Sequence, residues 1–301
     1  MIGLVSSEWL RIRSRRLVKV LAAVALAGIV IALVIGAAQS RRPSADELES
    51  ARLSAEAARD DCIAQGGFGA VEPGGDVEAF CRQEMNSAVF LGKPPMRLSE
   101  LPETLRGTAF IAILVGLVIG ASAVGASWQT GTITTILTWE PRRLRVAVVR
   151  AVVVATAVFM LVVALLGVLI LLFWVTTSLR GLTSISEGWP SEVAGVVLRV
   201  SMLSAAASVI GGAIAMLGRN TAAALGAVFV YLAVLEGLVR GLRPALGRFL
   251  LGDNIATAVI GHEVTFGATT LTPGRAWVVV SIYTLGLAAL AAAVFRVRDV
   301  H

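Results

Sequence analysis

Charged residues are scarce in this sequence, and lysine is almost absent. Of the 301 residues, 15% are charged and 56% are apolar, and the mean hydropathy is +0.82. Soluble domains carry about 25% charged residues, so this composition excludes an ordinary soluble domain. The two lysines, Lys19 and Lys93, do not complete a Gly-Lys-Ser/Thr motif, because Lys93 follows Gly92 but precedes Pro94. The chain therefore has no phosphate-binding loop of that type.

Histidine and cysteine are equally scarce, which excludes further classes of site. The histidines, His262 and His301, lie far apart in the sequence, and both cysteines lie in one polar segment. A structural zinc site needs about four such ligands, and a cysteine nucleophile needs a nearby base. We therefore expect no metal site, no cofactor bound by this chain, no enzyme active site and no nucleic-acid partner.

What the sequence has instead is a set of long apolar runs. A helix needs about 20 apolar residues to cross a bilayer core of about 30 Å. Backbone groups in hydrocarbon must be paired within the segment, which favours helices. The sequence therefore predicts an all-α integral membrane protein with six transmembrane spans, at 20–38, 107–126, 147–175, 195–217, 221–240 and 276–295.

Residues 1–19 predict an amphipathic helix that lies in the headgroup layer before the first span. Apolar residues recur at helical spacing at Ile2, Val5, Trp9 and Ile12. Tryptophan commonly anchors such helices at the interface. The apolar core of the first span, about 19 residues, exceeds the 7–15 of a cleaved signal peptide, so we expect it to be retained. Cleavage after Ala37–Ala38 is the alternative.

Basic residues favour an N-terminus inside the cell and, after six crossings, a C-terminus inside as well. The short segments that would then lie inside hold Arg11, Arg13, Arg15, Arg16, Lys19, Arg142, Arg143, Arg145, Arg150, Arg219, Arg296 and Arg298. Such segments obey the positive-inside rule. The cytoplasmic segments are 127–146, 218–220 and 296–301. The outer segments are 39–106, 176–194 and 241–275, and the last of these carries arginines that argue for the reverse orientation.

The long outer segment predicts a pair of helices. Ser44 and Glu47 fit a capping box that opens a first helix through about Asp61. Asp76 fits the N-cap of a second helix that runs to about Leu91, after a turn rich in glycine. We therefore expect a helical extracytoplasmic insertion between the first two spans.

Cys62 and Cys81 are the natural partners for a disulfide in this insertion. An oxidising outer compartment permits the bridge, and no third cysteine competes for it. Closing a loop of about 20 residues stabilises the fold by about 3 kcal/mol. The alternative is a pair of unbonded buried thiols.

Glu236 is the clear charged residue inside a predicted span, with Arg240 one turn later on the same face. Counting about 1.5 Å per residue from Asn220 places Glu236 about 24 Å along the helix, near its outer end. It is either half of an interfacial ion pair or a carboxylate that lines a pathway or couples protons.

Two pairs of glycines have the GxxxG spacing that permits close helix packing, Gly116/Gly120 and Gly237/Gly241. About three such pairs are expected by chance in a chain this rich in glycine. The spacing is therefore a weak signal, and Gly237/Gly241 is kept as a candidate packing site.

A polar segment, GASWQTGTITTILTWEPRRLRV at 125–146, separates the second and third spans. Its threonines can bond the backbone at helix ends, and Pro141 should break or start a helix. Three arginines lie where phospholipid headgroups or an acidic partner surface would meet them. Physical chemistry alone leaves an ordinary positive-inside loop as an alternative.

With its flanks, this segment resembles part of the bacterial ABC transporter permeases of the type-2 exporter family. The resemblance rests on GASWQTGTITTILTWEPRRLRVAVVRA, SEWLRIRSRR near the N-terminus, the turn GRN and the C-terminal FRVRDV. In that family the Gly-Thr-Leu/Ile stretch and the following Pro-Arg-Arg form the cytoplasmic coupling region, and SEWLRIRSRR resembles its elbow helix. Ser127 departs from the family, many members of which carry an acidic residue there.

The resemblance implies a permease subunit that pairs with a second permease, as a homodimer or heterodimer, in a bacterial cell membrane. Each permease would dock a separate cytoplasmic ATPase, which binds ATP and Mg²⁺ and drives export of a hydrophobic or amphipathic substrate. The residues implied to contact the ATPase are Trp128, Gln129, Thr130, Gly131, Thr132, Thr135, Trp139, Glu140, Pro141, Arg142 and Arg143. Two alternatives stay open, namely a proton-coupled secondary transporter and a non-transporting receptor or scaffold.

Overall fold

The computed structural model describes residues 2–41, 43–69, 76–87, 89–91, 95–267 and 269–297. The end of the predicted glycine-rich turn, 73–75, and most of the predicted tail, 298–301, lie outside these ranges. The chain divides into two compact units. The large unit comprises Met1–Ala27, Pro102–Val168 and Gly188–His301, and the small unit comprises Gly28–Leu101 and Leu169–Glu187.

Helices account for most of the described chain. In chain order they are α1 (Ile2–Ser14), α2 (Arg16–Gln39), α3 (Ala45–Ala64), α4 (Val77–Glu84), α5 (Leu101–Gln129), α6 (Thr132–Trp139), α7 (Arg143–Arg180), α8 (Trp189–Gly218), α9 (Thr221–Val230), α10 (Glu236–Leu242), α11 (Leu251–Ile260) and α12 (Pro273–Val297).

Within the described ranges, six helices are long and apolar enough to cross a membrane. They are α2, α5, α7, α8, α9 continued by α10, and α12, and they cover the six apolar runs of the sequence. The prediction of a helical protein with six helices of membrane-spanning length and composition is confirmed. Each helix extends beyond its apolar run, and α7 reaches 38 residues because the helix continues into polar residues at both ends.

The fifth of these helices contains a local irregularity. A π-helical turn, Tyr231–Leu235, separates α9 from α10, and Glu236 is the first residue of α10. π-helical turns are rare and occur frequently at functional positions. The polar groups beside this π-helical turn are therefore candidates for a functional site.

Helices α5 and α8 of the large unit pack with their backbones in contact. A Cβ added at Gly116 would overlap the carbonyl oxygen of Ser204, and one added at Gly120 would overlap that of Ser208. A side chain at either position would push the helices apart. The Gly116/Gly120 spacing therefore serves close helix packing.

The other glycine pair does not act in this way. A Cβ added at Gly237 or at Gly241 would meet no heavy atom within 4 Å in the described chain. The prediction that this pair packs a helix is wrong for contacts within this chain. Both glycines lie in α10, which presents them to open space.

In the small unit, the helix caps follow the prediction. Ser44 and Glu47 form a capping box at the start of α3, and the Asp76 side chain caps α4. The Ser44 backbone N–H donates to the Glu47 carboxylate over 2.9 Å, and this hydrogen bond lowers the pKa of Glu47. Helix α4 ends at Glu84, well before the predicted Leu91.

The predicted disulfide is present in the small unit. Cys62 of α3 and Cys81 of α4 are bonded, and both side chains are fully buried. The same unit contains a backbone bridge in which Leu98 N–H donates to Leu182 O and Leu182 N–H donates to Met96 O, both over 2.9 Å. These links join segments far apart in the sequence.

The segment between α10 and α12 is more structured than the sequence predicts. Leu242, Leu246, Phe249 and Leu250 recur at helical spacing and predict a short helix in this segment. The structure has a 3-10 helix there, Pro244–Phe249, and α11 follows it. An antiparallel hairpin of β1 (Val264–Phe266) and β2 (Thr269–Leu271) then precedes α12. In the large unit, α11 packs against α8 and α12.

Candidate functional site

The polar segment between α5 and α7 folds into a helical hairpin. Helix α6, of eight residues, begins after Gly131, whose φ of +64° lies in the left-handed region that glycine adopts readily. Thr130 Oγ1 donates to Ala126 O over 2.9 Å, and Thr134 Oγ1 donates to Gly131 O over 2.6 Å. Pro141 follows the end of α6 and separates it from α7, as predicted.

Most of the residues implied to contact an ATPase lie at the surface of this hairpin. Trp139 is 87% exposed, which is unusual for so large an apolar side chain. The other exposed members are Gln129, Thr130, Gly131, Thr135, Pro141 and Arg142. Thr132, Glu140 and Arg143 are half-buried, and Glu140 pairs with Arg145 over 3.3 Å.

Trp128 differs from the rest of that set because its ring turns into the fold. It packs edge to face on Phe295 with ring centroids 6.0 Å apart, and the Arg219 guanidinium lies 4.9 Å from its ring centre. Trp128 therefore stabilises packing in the large unit and is not exposed as most of that set are.

Helix α1 borders the hairpin. A groove of about 540 Å³ lies between α1 and α6. It is lined on one side by residues of α1 and on the other by residues of α6 and by Glu140. The α1 side includes Ser7, Glu8 and Arg11, and the α6 side includes Thr135 and Trp139. Both walls of the groove therefore carry polar or charged side chains, and Trp139 is the aromatic residue of the lining.

Beneath this groove lies a buried ionic group, here called the Arg150 cluster, formed by Glu8, Arg11, Arg15, Ser127 and Arg150. Arg150 Nη2 pairs with Glu8 Oε1 over 3.1 Å, and the two side chains are only 2% and 7% exposed. Arg150 Nη1 donates to Ser127 Oγ over 2.9 Å. Arg11 Nη1 donates to the same Glu8 oxygen over 3.2 Å.

Arg15 extends the cluster toward the end of α5. Its guanidinium donates to Ser122 O over 2.8 Å and to Ala123 O over 3.2 Å. Burial, together with the positive charges of Arg11 and Arg150, lowers the pKa of Arg15.

A second ionic group, here called the Glu236 cluster, consists of Tyr231, Glu236, Arg240, Gly252 and Asp253. Arg240 Nη2 lies 2.7 Å from Asp253 Oδ1 and 3.9 Å from Glu236 Oε2. Both carboxylates are buried, whereas the Arg240 side chain is 52% exposed. Glu236 and Arg240 thus lie within ion-pair distance, as the first of the two interpretations of Glu236 expects, but Asp253 is the closer partner of the arginine.

The Glu236 cluster also completes the start of α11. The first N–H groups of a helix lack partners within it, and the N-cap residue of α11, Leu250, supplies no side-chain oxygen. Gly252 N–H donates to Glu236 Oε1 over 2.8 Å, and Leu251 N–H donates to Tyr231 Oη over 3.3 Å. Side chains on and beside the π-helical turn therefore cap a helix that has no cap of its own.

Next to the Glu236 cluster the large unit contains a cavity of about 700 Å³, whose lining includes Tyr231 and Gly252 of that cluster. Its walls come from α5, α8, α9 with the π-helical turn, α11 and α12, and almost all of the lining side chains are apolar. The polar exceptions are Arg106, Tyr231 and Tyr283, and the two tyrosine hydroxyls are 3.2 Å apart. Such a volume and lining fit a small apolar or amphipathic molecule.

The two clusters lie toward opposite ends of the large unit. Gln129 Nε2 donates to Asn220 Oδ1 over 3.1 Å, so the start of α9 lies beside the end of α5 and near the Arg150 cluster. Glu236 follows 16 residues after Asn220, which is about 24 Å along a helix.

The sequence pointed to only part of these sites. Arg150 was visible as an arginine at the edge of an apolar run, but nothing local indicated that Glu8 of α1 would be its partner. Asp253 was hidden in a segment whose helix, α11, was not predicted. Within the described ranges, no group of three or more His, Cys, Asp and Glu residues is placed to hold a metal ion.

The sequence matches no protein-family model, and no curated protein matches it.

Proposed function

We propose that this chain is the permease subunit of an exporter whose energy comes from a separate ATPase. In this proposal α1 is an interfacial elbow helix, both termini lie in the cytoplasm, and α6 is the helix that the ATPase contacts. The partner binds ATP and Mg²⁺, and a second permease completes the transporter in a bacterial cell membrane. The charge distribution supports this orientation, because the arginines of the Arg150 cluster and of the hairpin would face the cytoplasm.

The observation that carries the proposal is the form of the α5–α6–α7 hairpin. A simple connector needs no helix of its own, whereas here an eight-residue helix stands between two membrane-length helices. It presents an 87% exposed tryptophan and an exposed arginine, Arg142, at its edge. Exposed aromatic and arginine side chains are the residue types enriched at protein interfaces.

The apolar cavity supports transport of a hydrophobic or amphipathic substrate. Its volume of about 700 Å³ lies within the range of about 300–1,000 Å³ found for small-molecule sites. Apart from α11, the helices that wall the cavity are of membrane-spanning length, so it offers an apolar surface within the proposed bilayer-spanning part. Polar groups that could bind an ion near the middle of the spans are scarce, which disfavours a strictly ionic substrate.

The experiment is co-expression of this chain with the products of its neighbouring genes, followed by purification and reconstitution in liposomes. We expect the ATPase to co-purify and its ATP hydrolysis to be stimulated by substrate. W139A and the double variant R142A/R143A should insert normally but lose most of this stimulation. W174A is the matched control, because Trp174 is also an exposed tryptophan but lies far along α7 from the hairpin. Absence of any associated ATPase would contradict the proposal.

The Glu236 cluster favours a second candidate, a proton-coupled secondary transporter. Buried carboxylates beside a π-helical turn are groups that proton-coupled transporters use. Liposomes that contain this chain alone distinguish the two. Substrate movement driven by an imposed pH gradient, and abolished by E236Q, would support the secondary transporter and contradict dependence on an ATPase.

A further inference from the structure

We propose that Glu8 is a positioning residue that fixes α1 against the α5–α6–α7 hairpin by holding the buried guanidinium of Arg150. The role in energy coupling rests on the proposed function, but the tether itself does not. In consequence, a displacement of α6 would move α1 as well as the two membrane-length helices that flank the hairpin.

The geometry joins three helices at one side chain. Arg150 reaches Glu8 of α1 over 3.1 Å and Ser127 of α5 over 2.9 Å, while its own backbone belongs to α7. Ser127 stands two residues before the end of α5 at Gln129, and Arg150 stands seven residues after the start of α7 at Arg143. Both ends of the hairpin are therefore connected to α1 through Arg150.

The chemistry makes this connection difficult to replace. An arginine does not lose its proton in a protein, so a buried Arg150 stays positive whatever its surroundings. Ser127 is a neutral partner, and Arg11 and Arg15 add positive charge nearby. Among the described residues, the carboxylate that contacts Arg150 belongs to Glu8. Separation of α1 from α7 would leave a buried cation without its counter-charge.

The position of α1 matters because α1 forms one wall of the groove beside α6. Glu8 belongs to that wall, and its carboxylate pairs with the buried Arg150. Loss of the tether should therefore widen the groove or leave its width undefined. A partner that contacts both α6 and α1 would then meet a surface without a fixed shape.

The test moves the carboxylate from α1 to α5. In E8Q/S127D, an aspartate at position 127 can neutralise Arg150 from α5, but the ionic link to α1 is lost. E8Q alone removes the counter-charge. R11Q is the matched control, since it removes the other arginine that contacts Glu8 and keeps the Glu8–Arg150 pair.

The readout is the distance between spin labels at S7C and T135C, on opposite walls of the groove. The native cysteines do not interfere, because Cys62 and Cys81 are bonded to each other. We expect one narrow distance distribution in the labelled parent and in R11Q, and a broad one in E8Q/S127D. E8D, which keeps a carboxylate on α1, should recover most of the narrow distribution. E8Q/S127D keeps the test valid if E8Q alone does not fold.

A narrow distribution at the parent distance in E8Q/S127D would overturn the proposal, because Arg150 would then need only a counter-charge and not a tether to α1. Failure of E8Q/S127D to fold while E8D folds would support the proposal, since the carboxylate would then be needed on α1 and not only near Arg150. In the reconstituted complex, E8Q/S127D should still bind the ATPase and lose at least tenfold in substrate-stimulated hydrolysis. If no ATPase associates with the parent, the proposed function fails while the distance result stands.

Discussion

The Arg150 cluster and the Glu236 cluster hold the buried charges of the described large unit, and their charge balance is opposite. At the Arg150 cluster a buried arginine meets one buried carboxylate, with two further arginines nearby. At the Glu236 cluster two buried carboxylates share one arginine that is 52% exposed. An arginine cannot change its charge, whereas a carboxylate can accept a proton. The Arg150 cluster is therefore suited to holding helices in a fixed position. The Glu236 cluster contains groups of a type that can change charge.

The largest effect is expected when the buried arginine loses its partner. E8M leaves Arg150 charged, buried and without a carboxylate, which should lower the free energy of unfolding by about 3–5 kcal/mol. The double variant E8M/R150M should recover most of that loss, since an apolar pair often replaces a buried ion pair without penalty. Reversible unfolding in detergent micelles gives the free energies. Equal stabilities of E8M and the parent would show that solvent reaches Arg150.

Replacing the buried glutamate by methionine at the Glu236 cluster should lower the free energy of unfolding by less than E8M does. E236M removes the oxygen that accepts from Gly252 N–H, and a buried donor without a partner costs about 1–3 kcal/mol. Arg240 is half-exposed, keeps Asp253 and can be hydrated, so no buried cation is left behind. Amide hydrogen exchange should rise at the start of α11, from Leu251 to Asp253.

Two variants make that prediction sharper. E236Q keeps an oxygen that can accept from Gly252 and should show less exchange than E236M. E263Q, at an exposed acidic residue in the same segment, is the control and should match the parent. Faster exchange throughout α12 instead of α11 would contradict the capping role assigned to Glu236.

The contrast between the clusters also shows what the sequence could predict. The membrane-length helices were evident because each requires about 20 apolar residues in a row, a property of one continuous segment. The capping box at Ser44 and Glu47 is likewise local. The Glu236–Arg240 pair follows from helical spacing alone.

The contacts that set the charge balance of each cluster join residues that no local spacing pattern connects. Glu8 and Arg150 are 142 positions apart, and no periodicity links a residue of α1 to one of α7. Asp253 reaches Arg240 because a 3-10 helix turns the chain back, and that turn was predicted only as a short helix. The hairpin of β1 and β2 was missed because its strands have three residues each, too few to show an alternating pattern.

The smallest effect is expected at Arg240. R240M removes a side chain that is 52% exposed, and ion pairs with such exposure contribute about 0.2–1 kcal/mol. R248M is the control, since Arg248 is exposed in the same segment and stacks on Phe249 without an ion pair among its described contacts. Unfolding in detergent micelles at pH 7 gives the comparison. If R240M lowered the free energy of unfolding as much as E8M, the ion pair of Arg240 would stabilise the fold as strongly as that of Arg150. The difference between the two clusters would then disappear.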